Sequence, residues 1–244
     1  MADEWRELDR AAEGFPGSTN GSRGIFSGAA AMTKLYWGPH TCAIGIHILL
    51  EEIGRPYEAE EIDVAGGATH GDPFRSINPK GKVPTLVRDD GSVLTEYGAI
   101  ATWLARTNPD AKLLTDDPEA EAKGLEIMDY AIGTLHAQAF GRIFMPEKFE
   151  PPDMLHSSLG LGKTAVKGQG REMVQTALGI LAKNLGNRPY ASGETLTIAD
   201  TALYYAERWA PQVDITLPDN LAAHFSRMNA RPAVGRVRAI WGEA

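Results

Sequence analysis

The chain has 244 residues, 43% hydrophobic and 23% charged, enough apolar content to bury a sizeable core in one large or two modest domains. Its formal net charge is −8, and a mildly acidic field repels phosphate, which argues against a nucleic-acid or anionic-membrane surface. One cysteine, Cys42, excludes an internal disulfide framework, and no apolar run approaches the roughly 18 residues of a membrane span, so a soluble cytoplasmic protein is expected.

In chain order, residues 1–32 mix an acidic patch (Asp3, Glu4, Glu7, Asp9) with a Gly/Ser/Asn-rich stretch and read as a disordered extension. No apolar stretch precedes Ala29-Ala30-Ala31, so this is not a secretory signal. From 33 to 107 short strand and helix patterns alternate: 34–37 extended, 42–53 helical, 57–64 extended, a Gly-rich loop, then 85–87 and 93–94, and a helix over 97–106 stopped near Asn108-Pro109. The Asp89-Asp90-Gly91-Ser92 turn between two apolar runs is a strong hairpin signal, and the order predicts a mixed four-stranded sheet with helices packed on it. Residues 108–117 read as a linker. Residues 118–244 read as an all-helical domain with helices over 118–144, 170–185, 198–210, 221–229 and 232–241, and with 149–170 a long loop because of Pro151, Pro152 and repeated glycines.

Cys42 follows the first strand and opens the first helix. There the unpaired N–H groups and the positive end of the helix dipole favour a thiolate, so its pKa is expected below the free value of about 8.5. With no second cysteine, sulfur chemistry here must use a thiol brought from outside. Val83-Pro84 precedes the third strand; a cis bond there turns the Val83 N–H and C=O outward, where an extended peptide pairs as an added strand, whereas a plain strand-initiating proline does nothing of the kind. Glu96-Tyr97 marks a strand end running into a helix N-terminus, where backbone N–H groups take a carboxylate and Glu96 takes an ammonium, unless Glu96 simply complements the helix dipole.

Cys42-Ala43-Ile44-Gly45 resembles the thioredoxin-fold active-site turn with its second cysteine missing. Together with Val83-Pro84 and Glu96-Tyr97, and with Asp129-Tyr130, Leu135-His136, Thr197-Ile198-Ala199-Asp200 and Arg231-Pro232 in the helical half, the chain resembles the glutathione transferases and most of all the bacterial beta class. The resemblance implies a thioredoxin-like N-terminal domain and an all-α C-terminal domain. It also implies that Cys42 approaches the glutathione sulfur, that Val83 beside a cis Pro84 pairs with the cysteinyl backbone, and that Glu96 with the Tyr97 N–H holds the γ-glutamyl group. His136 matches a histidine that reaches the site from the long helix. Thr197 and Asp200 match a buried N-capping box, structural in role. Ala65-Gly66-Gly67-Ala68 and Ala137 lack lysines found in beta-class relatives, which implies a site poorer in cations.

The expected activity is addition of the glutathione thiolate to a small apolar electrophile, with glutathione as co-substrate, Cys42 and His136 as catalytic residues, and Trp37, His136, Phe140 and Trp209 lining the acceptor pocket together with Phe144. The alternatives are thiol transfer or peroxide reduction through a Cys42 mixed disulfide, or a non-catalytic binding module of the same fold. The resemblance also implies a homodimer. Gly162-Lys163-Thr164 is rejected as a phosphate loop because Ser157 stands where the motif needs glycine, and the histidines show no metal-ligand spacing, so no metal is expected.

Overall fold

The computed structural model describes residues 32–150 and 161–243, so the expectation for 1–31 and the 151–160 part of the expected loop lie outside the described residues. Strand β1 (Lys34–Trp37) is central: it runs parallel to β2 (Glu58–Glu61) and antiparallel to β3 (Thr85–Val87), which pairs antiparallel with β4 (Val93–Thr95) to give the order β2-β1-β3-β4. Leu35 lies opposite Leu86, and Leu86 opposite Leu94, so the apolar positions register across the sheet. Alternation sends Tyr36 to the other face, edge-on to Phe74 of α2 (Asp72–Arg75) at 5.9 Å. The edge strand β2 exposes all four of its residues, and its glutamates repel edge-to-edge pairing.

Helix α1 (Ala43–Ile53) is apolar over its first eight residues except for His47, and Ala43 to Leu50 are all buried. Such a helix is stable only when covered on every side. It packs against β1, α3 (Tyr97–Thr107), α7 (Ile198–Glu207) and α9 (Pro232–Ile240), so the sheet-bearing and helical halves share its core. Gly45 permits this closeness, because a Cβ there would meet the Tyr97 Oη at 2.2 Å and the Thr201 carbonyl oxygen at 2.8 Å.

In the helical half, α4 (Pro118–Tyr130) is capped by Asp117, whose carboxylate accepts the Glu119 N–H at 3.0 Å. The expected single helix over 118–144 is instead three pieces: α4, a π-helical stretch Ala131–Phe140, and α5 (Gly141–Phe144). The Gly141 N–H bonds the His136 carbonyl, five residues back. Helix α6 (Leu161–Leu185) corrects the expected loop, since 161–170 are helical. Gly170 was a loop signal for the wrong reason: a Cβ there would lie 2.9 Å from Arg142 Cβ and Ile143 Cγ1, so the glycine serves close helix packing. Helix α8 (Asp219–Asn229) and α9 follow, and no helix among the described residues is long and apolar enough to cross a membrane.

Two buried polar networks stabilise this arrangement. The capping box at Thr197 and Asp200 forms, and the Asp200 carboxylate accepts from the Thr197 N–H (2.7 Å), the Thr197 hydroxyl (3.0 Å), the Ala191 N–H (2.6 Å) and His224 Nε2 (3.2 Å). His224 Nδ1 in turn bonds the Glu207 carboxylate at 2.9 Å. Burial pulls the His224 pKa down, but the two carboxylates outweigh it and raise it to about 10, so the imidazolium persists at neutral pH. In the second network the Trp241 indole N–H donates to His47 Nδ1 (2.9 Å), His47 Nε2 meets the Tyr57 hydroxyl (2.9 Å), and that hydroxyl donates to Glu51 (2.5 Å). Burial lowers the His47 pKa to about 4, so this ring is neutral.

Asp200→Ala removes the acceptor shared by four buried donors, one of them charged, and is expected to cost on the order of 3 kcal/mol, lowering Tm by roughly 6–12 °C in a thermal melt. An unchanged Tm contradicts this account. A second expectation concerns pH. The depressed His47 pKa contributes stability above about pH 6.5 that is lost as pH falls through 4, and the raised His224 pKa contributes stability below about 6.5 that is lost as pH rises through 10. Tm against pH is therefore expected to peak between about 6 and 7, and His224→Gln to flatten the alkaline limb while leaving the acid limb in place.

Candidate functional site

β1 ends at Trp37, and the chain turns through His40, whose φ is 59°, into α1. Thr41 fixes this turn: its hydroxyl donates to the Gly38 carbonyl (2.7 Å) and accepts the Ala43 N–H (3.3 Å). Cys42 follows at the helix N-terminus, with its Sγ 4.0 Å from the Val83 carbonyl oxygen. The expected lowering of its pKa is corrected by the structure. Cys42 is only 9% exposed, and burial pushes the thiol up to about 12 despite the helix N-terminus, with Glu96 adding to the rise and Arg208 and Lys82 opposing it.

Val83 is half-buried and lies two residues ahead of the first paired residue of β3, and the Val83-Pro84 bond is cis. The loop leading to it is organised by Asn78, a buried side chain whose amide N–H groups donate to the Lys82 carbonyl (2.8 Å) and the Thr85 hydroxyl (2.9 Å) while its carbonyl accepts the Lys80 N–H (3.1 Å).

Glu96 has φ 73° and ψ 127°, an unusual backbone for a non-glycine residue. Its carboxylate side chain is 64% exposed and receives the Lys80 ammonium at 2.7 Å, which also donates to the Thr95 hydroxyl at 2.9 Å. The next residue opens α3, whose first intrahelical bond is from the Ile100 N–H to the Glu96 carbonyl, so the Tyr97, Gly98 and Ala99 N–H groups head the helix without intrahelical partners. The Tyr97 side chain is buried, its hydroxyl 2.9 Å from the Thr201 hydroxyl, so only its main chain is available.

His136 sits on the π-helical stretch, with Nδ1 3.2 Å from the Tyr205 hydroxyl and its ring edge-on to Trp209 (4.8 Å) and Tyr205 (5.5 Å). Burial, with Lys82 adding to it, lowers the His136 pKa to about 4. Burial holds Tyr205 protonated, and its hydroxyl shares a hydrogen bond with Nδ1 of the neutral imidazole. Tyr205 also contacts Tyr97 at 5.3 Å and Trp209 at 5.3 Å, which makes it the centre of the ring cluster.

The expected acceptor pocket is revised. Trp37 stacks on Trp241 at 4.4 Å and approaches His47, and at 4% exposure it belongs to the core under α9. Phe140 and Trp209 are buried as well, but they form the layer beneath Phe144, which stacks on Phe140 at 5.6 Å and is 45% exposed. The accessible aromatic surface is therefore Phe144 with half-buried His136, backed by Phe140 and Trp209. Sequence reading missed Tyr205, Lys80, Lys82 and Arg208. Lys80 and Lys82 lie within the stretch from Asn78 to Pro84 and carried a visible charge signal; Tyr205 and Arg208, on and just after a wholly buried helix, carried none.

Residues 41–107 match the family description "Glutathione S-transferase, N-terminal domain", and residues 134–232 match "Glutathione S-transferase, C-terminal domain". Glutathione S-transferase GstA of Escherichia coli O157:H7 is 31% identical over 205 residues, covering 82% of this chain and 94% of that protein. A glutathione transferase homologue from Sulfitobacter, with bound glutathione, superimposes with a TM-score of 0.79 at 26% identity, covering 88% of this chain and all of the other. The bacterial beta-class enzyme of Sphingomonas chungbukensis gives 0.71 at 29% identity over 86% of this chain and all of the other. Sheet order, the turn bearing Cys42, the cis Val83-Pro84 bond and these matches agree, and the chain belongs to the glutathione S-transferase family.

Proposed function

We propose that this glutathione transferase adds the glutathione thiolate to a small apolar electrophile, and that Cys42 acts as a neutral hydrogen-bond donor rather than as a nucleophile. The observation that carries this is the buried thiol. Burial disfavours the thiolate that mixed-disulfide chemistry needs, whereas a protonated S–H is suited to donate to a neighbouring sulfur anion.

The residues present fit glutathione. Val83 offers main-chain groups beside Cys42 for the cysteinyl portion. The exposed Glu96 carboxylate, steadied by Lys80, is placed for the γ-glutamyl ammonium, and the Tyr97 N–H at the head of α3 for its carboxylate. Bound glutathione supplies the nucleophilic sulfur. Cys42 donates its proton in a hydrogen bond at Sγ, and Lys82 contributes positive charge from the loop before Val83. His136, neutral and held through Nδ1 by Tyr205, leaves Nε2 as the ring nitrogen for a polar contact with the acceptor, while Phe144 above Phe140 and Trp209 gives a flat apolar face. The family membership supports a cytoplasmic homodimer, and sedimentation velocity of the full chain checks the dimer.

Cys42→Ala is expected to lower kcat for conjugation of a chlorinated nitrobenzene by roughly ten- to a hundredfold without abolishing it, and Cys42→Ser, which keeps an O–H donor, to recover most of the loss. Complete loss in both variants, with a glutathione adduct on wild-type Cys42 by mass spectrometry, replaces this reading with thiol transfer. Glu96→Gln is expected to raise the glutathione KM by about tenfold or more while leaving Tm nearly unchanged, since the side chain is largely exposed. A KM equal to wild type removes Glu96 from the site.

A further inference from the structure

Arg208, immediately after α7, does not reach for solvent. The residue is 8% exposed, one guanidinium nitrogen (Nη1) bonds the Glu243 carboxylate, the other (Nη2) donates to the Thr41 carbonyl at 3.3 Å, and the group lies 5.8 Å from the centre of the Trp241 ring. Its Nε is buried without a hydrogen-bond partner among the described residues. A buried cation one acceptor short is held against a desolvation cost, and the Thr41 carbonyl is what it reaches.

Thr41 is the residue on which the turn into α1 closes, because its hydroxyl and its carbonyl are both engaged. The anchor on that carbonyl comes from the helical half, far along the chain. We propose that Arg208 is a positioning residue for Cys42, fixing the turn through the Thr41 carbonyl, and that Glu243 near the end of the chain sets how strongly the guanidinium acts on the thiol. Charged groups acting on the thiol are Glu96, which opposes the thiolate, and Arg208 and Lys82, which favour it; the Tyr97 and Tyr205 hydroxyls are the titratable neighbours. Lys82 is exposed and its field is screened by water, whereas the buried Arg208 acts with little screening except for its ion pair with Glu243.

The two partners therefore act on the thiol with opposite sign. Glu243→Gln keeps an oxygen acceptor for Arg208 but removes the neutralising charge, so the thiolate fraction rises. Arg208→Met removes the cation and the hold on Thr41, so it falls. A purely structural contact moves both variants the same way, because each loosens the same turn.

The proposal rests on Cys42 being the sulfur that meets glutathione, but its test does not need glutathione. In the full chain, alkylation by iodoacetamide at pH 8 reports thiolate at the single cysteine. Relative to wild type, Glu243→Gln is expected to alkylate at least about threefold faster and Arg208→Met at least about threefold slower, as a half-unit change in thiol pKa gives. The double variant is expected to match Arg208→Met, and Arg208→Lys to recover part of the rate. Equal rates in all variants, or acceleration in both single variants, overturns the proposal. Should Arg208→Met fail to fold, acceleration in Glu243→Gln together with retained rate in Arg208→Lys supports it, and slowing in Glu243→Gln overturns it. Conjugation kinetics run in parallel separate the two readings: shifted alkylation with unchanged conjugation upholds Arg208 as the positioner of Cys42 and overturns the role of Cys42 beside glutathione.

Discussion

The burial of α1 on every side is the constraint from which the rest of the molecule follows. A helix whose first eight residues, Ala43 to Leu50, are all covered cannot present its N-terminus to water as a surface helix does. Cys42 therefore meets two opposed effects. A helix N-terminus favours a thiolate by about 0.3–1 kcal/mol, up to about 2 in favourable geometry, whereas full burial shifts an ionisable group by as much as several pKa units against its charged form. Burial wins, and the thiol stays protonated. The same covering that builds the shared core thus holds a protonated thiol at its end.

The setting of His136 comes from a departure from regular helix. If 118–144 were one α-helix, successive turns would advance by 3.6 residues; the wider π-helical stretch changes the angle at which His136 leaves the axis. There it meets Tyr205, whose hydroxyl holds Nδ1, and Trp209, whose edge contact fixes the ring. Both partners come from α7 and the residues just after it, so the orientation of His136 depends on a helix more than 60 residues downstream.

The strands and most helix starts were legible because they rest on local chemistry: alternation in Lys34–Trp37, the Asp-Gly turn at 90–91, prolines at 118 and 232 in first helical turns, and the Thr197/Asp200 box. Cys42, Val83, Glu96 and the Tyr97 main chain were legible as a candidate site for the same reason, since each sits at a strand or helix end. What was not legible depends on packing between distant segments. Cys42 burial is imposed by helices from the other half of the chain. Trp37 reads as a pocket residue until Trp241 stacks on it, and Gly170 reads as loop until Arg142 and Ile143 press against it. Periodicity offers no way to place a π-helical stretch, because its residues still score as helix.

Helix α7 joins the two ends of this account. All ten of its residues are buried, and its register is fixed at the start by the Asp200 carboxylate, which ties Thr197, Ala191 and His224 together. A rigid helix of that length carries its far end roughly 15 Å away with little freedom. That far end delivers Arg208 to the Thr41 carbonyl and Trp209 to His136, on the two sides of the candidate site. The chain is acidic overall, yet the cations nearest the thiol, Arg208 and Lys82, are of the sign an anionic tripeptide requires. A structural cap at the start of one helix therefore governs where the buried Arg208 and the Trp209 ring come to rest at its end.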